Sequence, residues 1–125
     1  MKEILLIGFG GFIGSVARFY VSKLNLAVDF LSIPIGTLTV NILGSFLLGI
    51  LTGIAEKSIL MNLELRLFLM IGLCGGFTTF SSFSYETVVL LRGARYAAAV
   101  CNVTVQLAGG LCAVILGMVA ARAVP

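Results

Sequence analysis

Histidine and tryptophan are missing from this 125-residue chain, and charge is scarce: eight basic and five acidic residues make up 10% of it. Without histidine, and with no paired carboxylates inside an apolar stretch, neither hydrolytic chemistry nor a transition-metal site has its usual parts. The three cysteines, Cys74, Cys101 and Cys112, are odd in number, lack metal-ligand spacing and fall inside apolar stretches. There they read as small packing residues. A soluble domain carries about a quarter charged residues, so charge this thin cannot cover a water-facing surface. The net charge of +3 is small and dispersed, which argues against disorder and against nucleic-acid binding. What remains is an integral membrane protein that is not an enzyme.

The few charges mark where the membrane lies. Residues 30–55 form a charge-free run of 26, residues 67–85 one of 19 and residues 96–121 one of 26. Residues 4–21 carry only Arg18. A hydrocarbon core needs about 20 helical residues, so the chain reads as all-α, with four transmembrane helices at roughly 4–22, 33–55, 63–91 and 96–121. The connections are short, and residues 1–125 are expected to form a single four-helix domain. The first stretch has a faint signal-peptide shape, with Lys2, an apolar run and the small pair Ser15 and Ala17. Glu3 spoils its basic flank, however, and Gly10, Gly11 and Gly14 suit close helix packing. It is read as a retained helix.

Four spans put Lys2, Lys57, Arg66 and Arg122 on one side and Arg18, Lys23, Arg92 and Arg95 on the other. Lysine and arginine asymmetry sets membrane orientation, so four against four gives little instruction. Either Arg18 lies within a helix and should not count, or the protein inserts both ways up and pairs head to tail. Size favours pairing, because four helices fill their own core and a path is more easily made at a subunit interface. An antiparallel pair has its two-fold axis in the membrane plane, and a homodimer is expected.

The informative residues are polar ones inside the spans. On the second helix Thr37, Asn41, Ser45 and Thr52 share one face, beside Gly36, Gly44, Gly49 and Gly53. The glycines read as a packing stripe, and hydroxyls can bond back to the preceding turn. Asn41 needs several partners and offers two donors, which makes it a functional candidate. On the fourth helix Asn102 and Gln106 are spaced i, i+4, with Gly110 continuing the line. Those amides either bond each other or a neighbouring helix, or line a wet path.

The third helix holds Gly75-Gly76-Phe77-Thr78-Thr79-Phe80-Ser81-Ser82-Phe83-Ser84. Paired glycines followed by hydroxyls among aromatics make a poor uninterrupted membrane helix, and a break near the bilayer midplane is expected. Exposed backbone at that depth is tolerated only when buried in protein or facing a wet or ion-binding cavity. Carbonyls there can bind cations, while helix N-termini favour anions. Phe80 and Phe83 are either core filler or electropositive ring edges aimed at a small anion. Glu86 and Arg18 either snorkel to the interface or flank an entrance.

Three segments carry a family resemblance. Gly10-Gly11-Phe12-Ile13-Gly14-Ser15-Val16-Ala17-Arg18, Gly36-Thr37-Leu38-Thr39-Val40-Asn41-Ile42-Leu43-Gly44-Ser45-Phe46 and Gly75-Gly76-Phe77-Thr78-Thr79-Phe80-Ser81-Ser82-Phe83-Ser84-Tyr85-Glu86 resemble, in order, motifs of the Fluc/CrcB fluoride channels. The resemblance spans nearly the whole chain. It implies an antiparallel, dual-topology homodimer in the cell inner membrane, with two pathways for passive fluoride export. By that likeness Asn41, Phe80 and Phe83 line the pathway, Ser81 and Ser82 belong to a hydroxyl track, and Thr37 sits nearby. The carbonyls of Gly75 and Thr78 would hold a structural Na⁺ on the dimer axis, and Arg18 would sit toward the vestibule. Asn102 and Gln106 depart from the tyrosine and serine of some members, although amides can supply the same donors. Such donors could replace the water of fluoride without a fixed counter-charge that holds it too tightly.

Two other readings compete. A small multidrug exporter also has four helices, but proton coupling calls for an intramembrane carboxylate. Here Glu3 is at the very start and Glu86 lies late in the third helix. In a non-transporting membrane subunit, every glycine and hydroxyl would serve packing.

Overall fold

The computed structural model describes residues 1–23, 33–57 and 61–123. Among them all regular structure is helical, and four stretches are long and apolar enough to cross a membrane: Lys2–Lys23, Ile35–Lys57, Leu63–Arg92 and Tyr96–Ala123. The first two are single helices, α1 (Lys2–Lys23) and α2 (Ile35–Lys57). Residues 30–32, where the charge-free run of the second span begins, lie outside the described residues.

The third stretch is composite. Its first part, α3, opens as Leu63–Arg66, widens to π-helical geometry over Leu67–Cys74 and closes as Gly75–Phe77. Asn62 starts it, its Oδ1 accepting from the Leu65 N–H at 2.9 Å. Such a cap satisfies one of the N–H groups that a helix end leaves unpaired. Thr78 and Thr79 are extended, and α4 (Phe80–Arg92) begins after them. It ends at Gly93, and Ala94, at φ 55°, occupies the left-handed region that turns the chain into α5 (Tyr96–Ala120) within three residues. A short 3₁₀ turn, Ala121–Ala123, follows α5.

Two parallel helix pairs build the bundle, and glycine makes both. Along α1 and α3, Gly72 approaches the Ile7 carbonyl and Gly76 the Gly11 carbonyl; a Cβ on Gly14 would fall 2.2 Å from the Leu73 oxygen. Along α2 and α5, a Cβ on Gly49 would fall 2.2 Å from the Val114 oxygen, and one on Gly117 2.2 Å from the Phe46 oxygen. In both pairs the touching residues advance together along the two chains, as spans that cross alternately require. Only a residue without a Cβ lets the backbones meet this closely.

The predicted sidedness of Lys2, Lys57, Arg66 and Arg122 has a structural counterpart, since all four gather at one end. Lys57 Nζ donates to the Arg122 carbonyl at 3.1 Å, and Arg66 Nη2 to the Ala55 carbonyl at 2.8 Å. Lys2 pairs with Glu64, tying the start of α1 to α3. Each cation bound to a carbonyl answers an acceptor at a helix C-terminus.

Candidate functional site

The extended pair Thr78-Thr79 removes the backbone from the helical ladder, and the question is where its polar groups go. Thr78 still closes the turn before it, its N–H and Oγ1 both donating to the Cys74 carbonyl at 3.0 and 2.9 Å. Thr79 turns away from its own chain. Its N–H donates to Asn41 Oδ1 on α2 at 2.8 Å, and its carbonyl accepts from Asn41 Nδ2 at 3.1 Å. One asparagine side chain thus imitates a strand partner and holds both backbone groups of Thr79. The Thr79 side chain then caps α4, its Oγ1 accepting from the Ser82 N–H at 3.2 Å. The same hydroxyl donates to Ser82 Oγ at 3.0 Å and lies 3.2 Å from Ser81 Oγ.

Asn41 reaches further. Its Nδ2 also donates to Gln106 Oε1 on α5 at 3.0 Å. Toward the start of α2, Thr37 Oγ1 donates to Glu86 Oε1 on α4. Between these levels Asn102 Nδ2 donates to Thr87 Oγ1 at 2.9 Å, and that hydroxyl donates to the Phe83 carbonyl at 2.8 Å. Polar residues of α2, α4 and α5 therefore form one seam through an otherwise apolar bundle. Three buried atoms along it have no protein partner: Glu86 Oε2, Asn102 Oδ1 and Gln106 Nε2.

Open space lies beside the break. A cleft of 290 Å³ is lined by Asn41, Ser45, Cys74, Gly75, Thr78 and Phe80, among others. The two phenylalanines differ sharply in setting, Phe80 being 75% exposed and Phe83 8%. Their rings still meet edge to face, with centroids 5.4 Å apart at an interplanar angle of 61°. In that arrangement the electropositive edge of one ring faces the π-cloud of the other.

The residues singled out from sequence divide accordingly. Asn41, Gln106, Phe80, Ser81 and Ser82 gather around Thr79, directly or through one neighbour. Asn102 and Gln106 do not bond each other; each reaches a different helix. Thr37 meets Glu86, whereas Arg18 is half-buried on α1 and forms no ion pair with Glu86. Gly75 is exposed, with open space where a Cβ would be. Thr52 only bonds back to the Leu48 carbonyl at 2.8 Å. Thr79 and Thr87, which hold the seam together, were not among the residues singled out. A threonine directly before an apolar helix is an N-cap signal that would have marked Thr79; nothing comparable marks Thr87.

The chain has close relatives. The family model described as CrcB-like protein, Camphor Resistance (CrcB), matches residues 5–118. A Chlorobaculum tepidum protein named fluoride-specific ion channel FluC is 46% identical over 124 residues, 98% of this chain and 96% of its own. Its namesake from Pyrococcus furiosus is 45% identical over 122 residues, 98% of each chain. That of Azobacteroides pseudotrichonymphae is 42% identical over 119 residues, 95% of each.

Proposed function

The chain belongs to the CrcB family, and from that premise we propose that it is a fluoride-selective channel for passive export, working as an antiparallel homodimer in the cell inner membrane. It is a multi-pass membrane protein and not an enzyme. The observation that carries the mechanism is the clamp of Asn41 on both backbone groups of Thr79. It holds open a break in the third span, beside hydroxyls and ring edges, at a depth expected near the bilayer midplane.

Fluoride is small and strongly hydrated, so its passage requires donors that replace water without trapping the ion. Asn41, Gln106, Asn102, Thr37, Ser81 and Ser82 would form the polar track, with the edges of Phe80 and Phe83 completing it. No lysine or arginine belongs to that set, which favours release. Arg18 and Glu86 would serve the two ends, Arg18 by drawing anions to the vestibule.

Dimerisation is supported by what a single chain leaves uncovered. Phe80 is three-quarters exposed, Gly75 is exposed, and the cleft beside them is open. The tie in Lys/Arg count permits the two orientations that an antiparallel pair needs. A structural Na⁺ would be held by the carbonyls of Gly75 and Thr78 from both subunits. The donor set fits: the N–H groups four residues on, Thr79 and Ser82, donate to Asn41 Oδ1 and Thr79 Oγ1 instead of back along the helix. Among the described residues no group of three His, Cys, Asp or Glu offers a competing metal site. Such an ion would supply positive potential to a neutral interior.

The deciding experiment is halide efflux from liposomes containing the purified protein, read by fluoride and chloride electrodes. Rapid fluoride efflux without chloride efflux is the expected result. Folded protein that releases neither ion would overturn the reading.

A further inference from the structure

A second cavity lies between the start of α2 and the turn that joins α4 to α5. It holds 210 Å³ and is lined by Pro34, Tyr85, Glu86, Val89, Leu90 and Arg95. Glu86 faces it and also meets Thr37, so the cavity stands where the polar seam reaches the edge of the bundle. An acid is out of place there, because an ionised carboxylate repels an anion. Thr37 donates to Oε1 alone, and Oε2 is buried without a protein partner. Among the described residues Glu86 is the only carboxylate toward this end, since Glu3, Glu56 and Glu64 belong to the opposite one. Asp29, on the connection between α1 and α2, lies outside them.

The turn after α4 sends one cation back toward this acid. The N–H groups of Gly93 and Arg95 donate to the Val89 and Leu90 carbonyls at 3.0 and 2.9 Å, with the left-handed Ala94 between them. Closures of this kind end a helix by reversing the chain. Arg95 is thereby set beside α4, its Cδ 3.7 Å from where a Gly93 Cβ would be, and its side chain lines the cavity with Glu86. Its guanidinium offers five donors, yet among the described residues it has neither a carboxylate nor a carbonyl partner. The other cations of this end do not line the cavity: Arg18 is on α1, Lys23 lies over the Phe19 ring, and Arg92 ends α4. At the opposite end Lys2, Lys57 and Arg66 are all answered by protein acceptors.

Resting on the channel reading above, we infer that Arg95 is the counter-charge of Glu86, the residue that makes an acidic mouth passable to fluoride. It is a positioning residue, acting through the carboxylate and through the potential of the cavity. Guanidinium and carboxylate sum to zero within one small space. An anion therefore meets donors there without a net charge that repels it or holds it.

The test is fluoride efflux from liposomes containing the full-length protein, with size exclusion and thermal unfolding run on every variant. Arg95→Gln is expected to slow efflux about tenfold, the low end for loss of a focused charge. Arg95→Lys, which keeps the charge, should stay within about threefold of wild type. Arg92→Gln removes the same charge outside the cavity and should change the rate by less than about twofold. If Arg95→Gln does not fold, Arg95→Met, which keeps an apolar stem against Val89 and Leu90, carries the same expectation. The decisive comparison is made in Glu86→Gln, where no carboxylate is left to offset and Arg95→Gln should cost less than about twofold. An equal cost in both backgrounds would overturn the inference, as would an equal cost at Arg92. A Glu86→Gln protein that conducts nothing would also do so, because the acid would then be required and not merely compensated. A deficit confined to vesicles with anionic lipid would assign Arg95 to a headgroup instead. Wild-type efflux alongside an unimpaired Arg95→Gln defeats this inference alone, whereas a silent wild type defeats the channel.

Discussion

Between α2 and α5 the same two helices make two unlike contacts. At Gly49, Gly53 and Gly117 the backbones touch, with Val114, Met118 and Ala121 filling the seam. About two turns earlier on α2, Asn41 meets Gln106 through amides. The glycine half gains dense van der Waals contact and leaves no buried polar side-chain atom unpartnered among the described residues. The amide half, with α4 beside it, leaves three. Each such atom costs about 1–3 kcal/mol if nothing reaches it. Stability thus resides in one half of the pair, and a tolerated deficit in the other, the pattern expected where function overrides packing.

The largest effects should come from forcing the two halves to resemble each other. Gly49→Val and Gly117→Val drive a Cβ to 2.2 Å from a carbonyl oxygen of the opposing helix. Neither helix can yield without parting from its neighbour, so about 3 kcal/mol or more of stability is expected to go, at the upper end for overpacking. Loss of the monodisperse peak and a collapse of thermal stability in detergent would register it. Gly8 is the control. A Cβ there meets nothing, and Gly8→Ala should be neutral or gain up to about 1 kcal/mol from helix propensity.

A smaller change of stability with a larger change of function is expected on the amide side. Asn41→Asp keeps an acceptor for the Thr79 N–H but removes both donors and adds a negative charge beside the proposed fluoride path. Fluoride efflux should fall about a hundredfold, equivalent to roughly 2.7 kcal/mol, with size-exclusion behaviour retained. Phe80→Ile comes next. Its side chain is 75% exposed on the single chain, so the stability of that chain should move by less than about 0.5 kcal/mol. Loss of the ring edge should still slow fluoride efflux about tenfold. Wild-type rates in either variant would remove that residue from the mechanism.

The contrast between the halves was only partly legible in the sequence. Charge spacing announces four spans because ionised groups are excluded from hydrocarbon, and the helices begin and end near those charges. Gly75-Gly76 and the hydroxyls beyond them announce trouble in the third span, and Thr78-Thr79 is where the backbone becomes extended. Which spans lie together was not readable. Glycines on all of α1, α2, α3 and α5 permit close approach, and only their matching in space selects α1 with α3 and α2 with α5. The π-helical stretch at Leu67–Cys74 was equally hidden, since nothing in Leu-Phe-Leu-Met-Ile-Gly-Leu-Cys distinguishes it from an α-helix. Asn41 was visible as an amide in an apolar run, but its partner is the backbone of Thr79, and backbone groups carry no sequence signature. The same is true of the way Gln106 is turned.

The finest comparison is between two threonines on the one face of α2. Thr52 lies in the glycine half and bonds only to the Leu48 carbonyl of its own helix. Thr37 lies in the polar half, is buried, and donates to Glu86 across to α4. Valine is nearly the same shape as threonine but has no hydroxyl. Thr52→Val gives up a back-bond that competes weakly with the helix ladder, so stability should change by no more than about 0.5 kcal/mol and fluoride efflux not at all. Thr37→Val leaves Glu86 without a donor, and an unpaired carboxylate at that depth should cost about 1–3 kcal/mol and change the fluoride rate. Equal behaviour of the two variants in thermal unfolding and in liposome efflux would mean that position along α2 does not matter, and the division of the α2–α5 pair into a packing half and a polar half would fail. Unequal behaviour from one identical substitution isolates the partner across the seam as the cause.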